Sequence, residues 1–395
     1  MTSILYLAHD LDDAAIWRRV SMLEAGGAKV AVVGFRRLTT PLERPALVLG
    51  QTHNGKIVHR ALSSLRVLTR AREIAREFAP DIIIARNLEM LPLATRIKKR
   101  CPQRNAPRIY YEVLDVHRLM IGQGIVAMSL RWLERRLCKQ VENVIVSSNR
   151  FDEEHFSRYR QIASPPILIE NKVWDGDKDD RFTPFRRDDV KRIGPLVVGW
   201  FGILRCAASL ECLDQVTRRL DGRVQLVLRG KPALDAIPDF HRIVDANPHI
   251  TFCGPYDYHR DLARIYSATD LAWLVDRYDA NANSDWLLPN RLYESCAHGA
   301  IPLALDGTET SRFLRRRGIG VVVRDLRPVA VASVLLGLDK SDIAALARKQ
   351  DAIDPSTWRT TQQDCVALVR LLAEGTRKRP ASVVTPRIAA GDLAR

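Results

Sequence analysis

The sequence predicts an α/β fold built from two doubly wound, Rossmann-like domains. Short apolar runs of strand length alternate with helix-length patterns along the chain. This alternation breaks once, in the charged segment 172–195, and then begins again. A chain of 395 residues is also longer than one ordinary core accommodates. Because strand–helix–strand alternation produces parallel sheets with right-handed crossovers, each half is expected to form its own sheet.

The predicted strands are rich in β-branched residues and apolar almost throughout, which is typical of strands buried on both faces of a parallel sheet. In the first half these runs cover residues 4–8, 30–35, 81–85, 108–113 and 144–148. In the second half they cover residues 196–202, 224–230, 250–254, 271–275, 301–305 and 321–323. Amphipathic helical patterns lie between them.

These patterns divide the chain into five segments. Residues 172–195 carry many charges with proline and glycine and have no apolar period, which predicts a linker. Residues 376–395 predict a mobile basic tail. The expected order is an N-terminal domain over 1–171, the linker 172–195, a C-terminal domain over 196–355, a helix over 356–375 and the tail 376–395.

Composition and charge limit the class of protein. The chain has 46% hydrophobic and 27% charged residues, as ordinary globular proteins do, and we expect neither a secretory signal nor a membrane helix. Seven scattered cysteines without a C-x-x-C pair favour a reducing cytoplasm over a disulfide framework or a zinc ribbon. The net charge is +15, and residues 51–150 contain 19 Lys and Arg but only 8 Asp and Glu. This excess predicts an acidic partner: nucleic acid, anionic lipid or a phosphate-bearing substrate.

Ligands of doubly wound domains bind in the crevice beyond the carboxyl ends of the strands, so the residues that follow each strand are the candidates for a site. In the first half these residues are His9, Asp10, Asp12, Asp13, Arg86, Glu89, Asp115 and His117. In the second half they are Gly202, Arg205, Lys231 and Tyr256. A helix predicted to begin near Asn290 would also offer free backbone N–H groups to a phosphate.

One segment carries a family resemblance. The sequence LPNRLYESCAHGAIPLA, residues 288–304, resembles the donor-binding signature of GT-B glycosyltransferases, especially the large retaining family 4 and, more loosely, its bacterial exopolysaccharide enzymes. The resemblance extends over the whole chain. In the second half, residues 201–205 resemble the glycine-rich donor loop, and residues 250–273 resemble the segment around the base. In the first half, residues 111–118 resemble the acceptor-side Asp-x-His turn, and residues 167–173 resemble the segment before the linker. Residues 356–372 resemble the final helix that crosses back onto the N-terminal domain.

This resemblance implies a GT-B fold, with two facing domains and an interdomain cleft. It implies a nucleotide-sugar donor, UDP-glucose by family, as co-substrate, with no metal and no other cofactor. It places Glu294 on the ribose hydroxyls, and the donor site as a whole comprises Gly202, Arg205, Lys231, Tyr256, Asn290, Arg291 and Glu294.

Two departures from the family pattern concern the same site. Ala207, Ala208 and Ser209 occupy the region of the family's usual lysine, which leaves Arg205 and Lys231 as the cations for the diphosphate. A guanidinium fork suits phosphate oxygens better than an ammonium does. Trp286 stands where the retaining signature has a second glutamate, with Asp285 beside it, so retaining and inverting routes are both open.

The N-terminal domain is expected to bind the acceptor, a lipid-linked saccharide or oligosaccharide, through His9, Arg86 and Glu89. The candidate catalytic residues are Asp115, His117, Asp10, Asp12 and Asp13, because an inverting reaction needs a base on the acceptor side. Simpler roles are open for most of these residues. The aspartates can cap the helix that begins at Ala14, and His117 can be a structural histidine. Likewise Glu294 can be a solvated surface charge and Arg205 can form an interdomain ion pair.

A basic amphipathic helix is predicted over residues 124–140. Its expected buried stripe is Val126, Leu130, Leu133 and Leu137, and its expected polar-face cations are Arg131, Arg135, Arg136 and Lys139. Such a helix either packs on the core with a solvated basic face or also contacts anionic lipid. The second interpretation predicts a cytoplasmic protein that is peripheral on the inner face of the plasma membrane.

The sequence thus supports three functions in descending order. The first is a glycosyltransferase of bacterial exopolysaccharide synthesis. The second is a catalytically silent GT-B-like scaffold that binds sugar nucleotide or saccharide at the membrane. A nucleic-acid-binding protein ranks last because no aromatic-interleaved basic patch is present. The acidic segment 175–180 imitates a calcium loop but lacks its glycine, so no metal site is predicted there.

Overall fold

The computed structural model describes residues 1–51, 67–174, 176 and 194–375. They form two units, of which the first contains residues 1–51, 67–170, 176 and 360–375 and the second contains residues 171–174 and 194–359. The predicted basic tail, the acidic segment 175–180 apart from Gly176, and most of the predicted linker lie outside the described residues.

The first unit contains a seven-stranded parallel sheet with the order β3-β2-β1-β4-β5-β6-β7. Its strands are β1 (Ser3–Ala8), β2 (Lys29–Arg36), β3 (Leu47–Gln51), β4 (Ile82–Arg86), β5 (Arg108–Val113), β6 (Asn143–Val146) and β7 (Ile167–Leu168). The crossover helices are α1 (Ala14–Ala25), α2 (Ala71–Phe78), α3 (Leu91–Lys98), α4 (Arg118–Ile121), α5 (Ile125–Cys138) and α6 (Asn149–Phe151). β1 and β4 are apolar and buried on both faces, as the sequence predicts for central strands.

The second unit repeats this topology in a six-stranded parallel sheet, β10-β9-β8-β11-β12-β13. Its strands are β8 (Leu196–Leu204), β9 (Val224–Pro232), β10 (Ile250–Phe252), β11 (Leu271–Trp273), β12 (Ile301–Leu305) and β13 (Val321–Val323). Its helices are α7 (Ala207–Arg219), α8 (Phe240–Asp245), α9 (Tyr258–Ser267), α10 (Asn283–Trp286), α11 (Asn290–Ala297), α12 (Glu309–Arg317), α13 (Pro328–Leu336) and α14 (Lys340–Asp351). The prediction of two doubly wound, Rossmann-like domains is confirmed.

The last helix, α15 (Gln362–Glu374), packs on α1 of the first unit. A Cβ atom on Gly26 would collide with the carbonyl oxygen of Cys365, so the end of α1 approaches α15 more closely than any side chain permits. The Tyr110 hydroxyl donates to the carbonyl oxygen of Leu372 at 2.9 Å, and Thr361 caps the helix in a capping box. These contacts attach the end of the described chain to the first unit.

The helix predicted over 124–140 forms as α5, but part of its expected orientation is wrong. Arg131 is 8% exposed and donates to the carbonyl oxygens of Met120 and Gly122, whereas Val126 is exposed. Arg131 can be buried because its guanidinium replaces water with two carbonyl partners and lies 4.3 Å above the Tyr159 ring. The buried stripe therefore includes Arg131 and Glu134 as well as Ala127 and Leu137.

Among the described residues, no helix combines the length and the apolar character that crossing a bilayer requires.

Candidate functional site

In both sheets the strand order reverses next to the first strand, between β1 and β4 in the first unit and between β8 and β11 in the second. This switch point is where doubly wound domains bind ligands, at the carboxyl ends of the strands. The residues there are 9–13 and 87–89 in the first unit and 205–206 and 274–278 in the second. Each unit therefore has its own set of polar side chains at the expected edge.

A pair of glycines lies at the carboxyl ends of two neighbouring strands of the second unit. Gly202 on β8 and Gly230 on β9 are direct partners in the parallel ladder, with φ of +102° and +126°. A Cβ atom on Gly230 would collide with the carbonyl oxygen of Gly202. Only glycine permits this backbone, and the pair leaves this position of the β8–β9 ladder without side chains.

Two arginines follow the neighbouring strands β8 and β11. Arg205 Nε and Nη2 lie 3.2 Å and 3.1 Å from Oδ2 of Asp276, and the guanidinium lies 4.9 Å from the centre of the Tyr278 ring. Arg277 Nη1 lies 3.0 Å from Oδ1 of Asp285, and its backbone N–H donates to Cys206 Sγ at 3.1 Å. Arg205 thus forms an ion pair inside the second unit, and a second arginine, Arg277, is anchored in the loop that follows the neighbouring strand β11.

Sequence reasoning missed Arg277. The signal that could have found it was the rule that already selected Arg205, since Arg277 lies in the loop that follows β11. The predicted strand extended to residue 275, whereas β11 ends at Trp273, so residues 274–278 are the loop at the strand end.

Glu294 lies one turn inside α11, which begins at Asn290 as the sequence predicts. Glu294 is 4% exposed, and its Oε2 accepts a hydrogen bond from the Tyr266 hydroxyl at 3.0 Å. Burial and the nearby Glu294 charge raise the pKa of both Tyr266 and Tyr256, while Arg291 lowers it in part. The interpretation of Glu294 as a solvated surface charge is wrong, because Glu294 is buried and its charge acts on the phenols of Tyr266 and Tyr256.

The position of the family's second glutamate is occupied by a buried indole. Trp286 is 8% exposed at the end of α10. The preceding Asp285 has both oxygens in contact, since Oδ1 binds Arg277 and Oδ2 accepts from the backbone N–H of Asn281 at 2.7 Å. Lys231, the other predicted cation, is exposed on β9.

The first unit has a buried ionic cluster beneath its switch point. Glu112, which is inaccessible to solvent, lies 2.7 Å from Arg19 Nε and 3.6 Å from Arg86 Nη1, and it accepts a hydrogen bond from the Tyr6 hydroxyl. Burial alone would raise the pKa of Glu112, but Arg19 and Arg86 lower it. Arg86, a predicted acceptor ligand, is itself buried and binds Tyr6 and Asp13 at 3.1 Å and 3.0 Å. These contacts join the ends of β1, β4 and β5 to α1.

The three aspartates after β1 have different partners. Asp13 caps α1 by accepting from the backbone N–H of Ala15, as the capping interpretation predicts, and it also binds Arg86. Asp12 accepts from Arg36 and from two backbone N–H groups, those of residues 37 and 38, and these hydrogen bonds lower its pKa although burial opposes them. Asp10 is paired with Arg37 at 2.9 Å, yet burial raises its pKa.

His9 is the residue of this edge with a buried ring nitrogen that has no partner among the described residues. Its Nδ1 is inaccessible, and so is the unpartnered Oδ1 of Asn87, a residue with φ of +64° after β4. Burial, followed by the positive charge of Arg86, lowers the pKa of His9 to about 4. The imidazole is therefore neutral near pH 7, and its Nδ1 has no hydrogen-bond partner among the described residues.

The remaining predicted residues of the first unit lie at its surface. Asp115 and His117 are exposed, and Glu89 is half-buried. His117 caps α4, where its Nδ1 accepts from the backbone N–H of Leu119 at 3.2 Å. His117 is therefore a helix-capping residue, which is the structural role that the sequence left open.

All seven cysteines are free. Over residues 1–51, 67–174, 176 and 194–375, no group of three or more His, Cys, Asp or Glu side chains is arranged to hold a metal ion.

Comparison with known proteins gives one similar curated sequence and many similar structures. The chain is 41% identical over 389 residues to the succinoglycan biosynthesis protein ExoL of Rhizobium meliloti (strain 1021), covering 97% of this chain and 96% of that protein. No protein-family model matches the chain.

Two of the similar structures show the fold. Sucrose-phosphate synthase from Thermosynechococcus elongatus matches with a TM-score of 0.70 at 14% identity, over 95% of this chain and 99% of that one. Anabaena Alr3699/HepE, solved in complex with UDP and glucose, matches with a TM-score of 0.65 at 16% identity, over the same shares.

Proposed function

This GT-B glycosyltransferase belongs to the family of the succinoglycan biosynthesis protein ExoL, and we propose that it transfers glucose from UDP-glucose to a lipid-linked or oligosaccharide acceptor. The similarity to ExoL supports a role in exopolysaccharide synthesis, and the structure of HepE in complex with UDP and glucose supports UDP-glucose as the donor. The single observation that carries the donor site is the buried Glu294 carboxylate one turn into α11.

In the donor site, Glu294 accepts hydrogen bonds from the ribose hydroxyls. A buried carboxylate is costly unless it is paired with polar groups, and the phenols of Tyr266 and Tyr256 beside Glu294 make this a polar position that suits a hydroxyl-bearing ligand. The N-terminal turn of α11 adds backbone N–H groups and a positive dipole, which favour a phosphate-bearing ligand.

The diphosphate is the leaving group, so it gains negative charge as the glycosidic bond breaks. Arg205, together with Lys231, supplies the compensating positive charge. Asp276 holds the Arg205 guanidinium in place until a diphosphate competes for it. Gly202 and Gly230 leave room for the phosphates to approach the backbone.

In the first unit, the saccharide acceptor binds at the carboxyl ends of β1 and β4, where it contacts His9, Glu89 and the residues next to Arg86. The unpartnered His9 Nδ1 and Asn87 Oδ1 suit sugar hydroxyls, which both donate and accept hydrogen bonds. Asp10 is the strongest candidate for a general base, because burial raises the pKa of its carboxyl and so increases its basicity.

No metal and no further cofactor take part in the proposed reaction. With UDP-[¹⁴C]glucose and a membrane lipid extract as acceptor, we expect transfer of label to continue after EDTA treatment. Loss of turnover that Mn²⁺ or Mg²⁺ restores would contradict this part of the proposal.

The enzyme is proposed to work at the cytoplasmic face of the plasma membrane, where a lipid-linked acceptor is accessible. The alternative is a catalytically silent scaffold, which the buried Trp286 at the second-glutamate position favours. A thermal-shift panel of nucleoside diphosphates and their sugars tests donor binding, because a ligand of the native state raises its stability. UDP-glucose binding without hydrolysis or transfer to any acceptor would favour the scaffold.

A further inference from the structure

Large apolar side chains are concentrated on the surface of the α4–α5 segment. Ile125 is 83% exposed, and Met128 and Trp132 are each 60% exposed; Val126 and Leu119 of the same segment are exposed as well. Single exposed apolar residues are ordinary, but a contiguous group on one helix marks an interaction surface.

The solvent face of α5 has an apolar half followed by a basic half. Ile125, Met128 and Trp132 are spaced by three and four residues, so they lie on one side of the helix. Continuing along that side, the exposed residues are Arg135, Arg136 and Lys139. The Arg136 guanidinium lies 5.9 Å from the centre of the Trp132 ring, which joins the two halves.

Within α5 itself, residues 125–138, no carboxylate lies on this face. The one acid of α5, Glu134, is buried on the opposite side, where it lies 2.7 Å from His155 Nε2 and accepts from the Tyr111 hydroxyl at 3.0 Å. Arg131, on the same buried side, holds the α4–α5 turn through the carbonyl oxygens of Met120 and Gly122. The apolar residues are therefore presented by a helix whose inner side is anchored by buried polar contacts.

We propose that this face of α5, the docking face, attaches the protein to an anionic bilayer. Ile125, Met128 and Trp132 enter the interfacial region, and Arg135, Arg136 and Lys139 bind lipid phosphates. Apolar insertion combined with basic contacts is the pattern of helices that lie in the membrane surface, and indole rings prefer the depth of the headgroups. The inference deepens the proposed function, since it rests on a lipid-linked acceptor and names the surface that brings the enzyme to it.

The charge pattern favours lipid over a protein partner. An apolar patch alone would suit either partner, but a row of cations without any acid complements a surface of uniform negative charge. Charge alone is also insufficient, because exposed cations attract only over about 8 Å at physiological salt. Docking is therefore expected to need both halves of the face.

The test is flotation of the full chain with phosphatidylcholine vesicles and with vesicles containing phosphatidylglycerol. We expect the wild type to bind the anionic vesicles. The triple variant Ile125→Ser, Met128→Ser, Trp132→Ser should lose at least tenfold in apparent affinity, and so should Arg135→Ser, Arg136→Ser, Lys139→Ser. The matched control Val329→Ser, Leu336→Ser removes two exposed apolar side chains of α13 and should bind vesicles as the wild type does.

Two measurements separate this proposal from the donor-site proposal. UDP-glucose affinity without vesicles should be equal in the wild type and the apolar triple variant, and absence of affinity in both would contradict the donor site alone. Quenching of tryptophan fluorescence by brominated lipid should fall in Trp132→Phe. The docking face is wrong if the wild type ignores anionic vesicles or the apolar variant binds them normally. It is equally wrong if that variant merely converts a dimer to a monomer, which would identify an interface between copies.

Discussion

Arg277 and Asp285 form an ion pair, with Nη1 3.0 Å from Oδ1, beside the position at which the retaining signature of family 4 carries its second glutamate. Compared with that signature, the carboxylate here lies one residue earlier, at Asp285, where it is paired with Arg277. Trp286 occupies the position of the signature glutamate. A diphosphate could compete for the guanidinium of Arg277 as it could for that of Arg205. The second unit therefore offers two arginines that can bind the diphosphate in place of the family's usual lysine.

The first prediction concerns these arginines. Arg205→Ala should weaken UDP-glucose binding by about 10- to 100-fold, because a hydrogen bond to a charged group contributes about 1.5–3 kcal/mol. Arg205→Lys should lose less, since an ammonium keeps the charge but not the fork. Arg277→Ala is expected to weaken binding in the same direction, and isothermal titration calorimetry measures all three.

A matched control for that series is Arg218→Ala. Arg218 is an exposed arginine of the same unit, paired with Asp214 near the other end of α7. It should leave donor affinity unchanged. Equal affinity in wild type, Arg205→Ala and Arg277→Ala would remove both residues from the donor site.

The second prediction concerns Glu294. Glu294→Gln should lower UDP affinity at least tenfold with little change in Tm, because the amide keeps the volume but accepts fewer hydrogen bonds. Glu309→Gln is the control, since Glu309 is an equally buried carboxylate that binds Arg312 and Arg316 on α12. That variant should change Tm without changing UDP affinity. The opposite pattern would make Glu294 a structural residue only.

Sequence reasoning located the strands well because burial on both faces leaves a nearly continuous apolar run, and β5 has the predicted bounds of 108–113. It located Asn290 and Glu294 because a helix start and a family motif coincide there. It could not foresee side-chain partners that come from distant segments. Glu112 meets Arg19 across 93 positions of sequence, and Arg131 is buried only because carbonyl groups of the α4–α5 turn receive it.

The sequence analysis also missed the two short edge strands of the first sheet, β3 and β7. β7 has two residues, and β3 is half-exposed and contains Gly50 at φ +152°. An edge strand pairs on one side only and needs no continuous apolar run, so its sequence signal is weak. The missed Arg277 has a related cause, because the apolar run after β11 continues two residues beyond the strand itself.

The third prediction concerns pH and the stability of the second unit. Burial, followed by the Arg359 charge, lowers the pKa of His298 to about 3, and its ring lies parallel to that of Tyr266 at 6.5 Å. The unfolded chain binds a proton at this residue below about pH 6.5, whereas the folded chain does so only below about pH 3. The free energy of unfolding should therefore fall as the pH drops through 6.5, by about 2 kcal/mol at pH 5.

Urea unfolding between pH 5 and pH 7.5 measures this effect. His298→Gln should flatten the dependence by that amount, whatever its effect on stability at pH 7.5. His259→Gln changes an exposed histidine of the same unit and should keep the wild-type slope. A wild-type slope in His298→Gln would show that the buried imidazole is not responsible.

The last prediction concerns the base. An inverting reaction needs a group on the acceptor side to take the hydroxyl proton, and loss of a general base typically costs about 10²–10⁴ in rate. Among Asp10, Asp12, Asp13, Asp115 and His117, Asp10→Asn is expected to show this loss with donor affinity retained, because burial raises the pKa of Asp10. Asp12→Asn should instead reduce stability, since both of its oxygens hold residues 36–38. If all five variants keep near-normal turnover, no inverting base lies at these positions. NMR of the anomeric configuration of the product decides between the two routes independently of any variant.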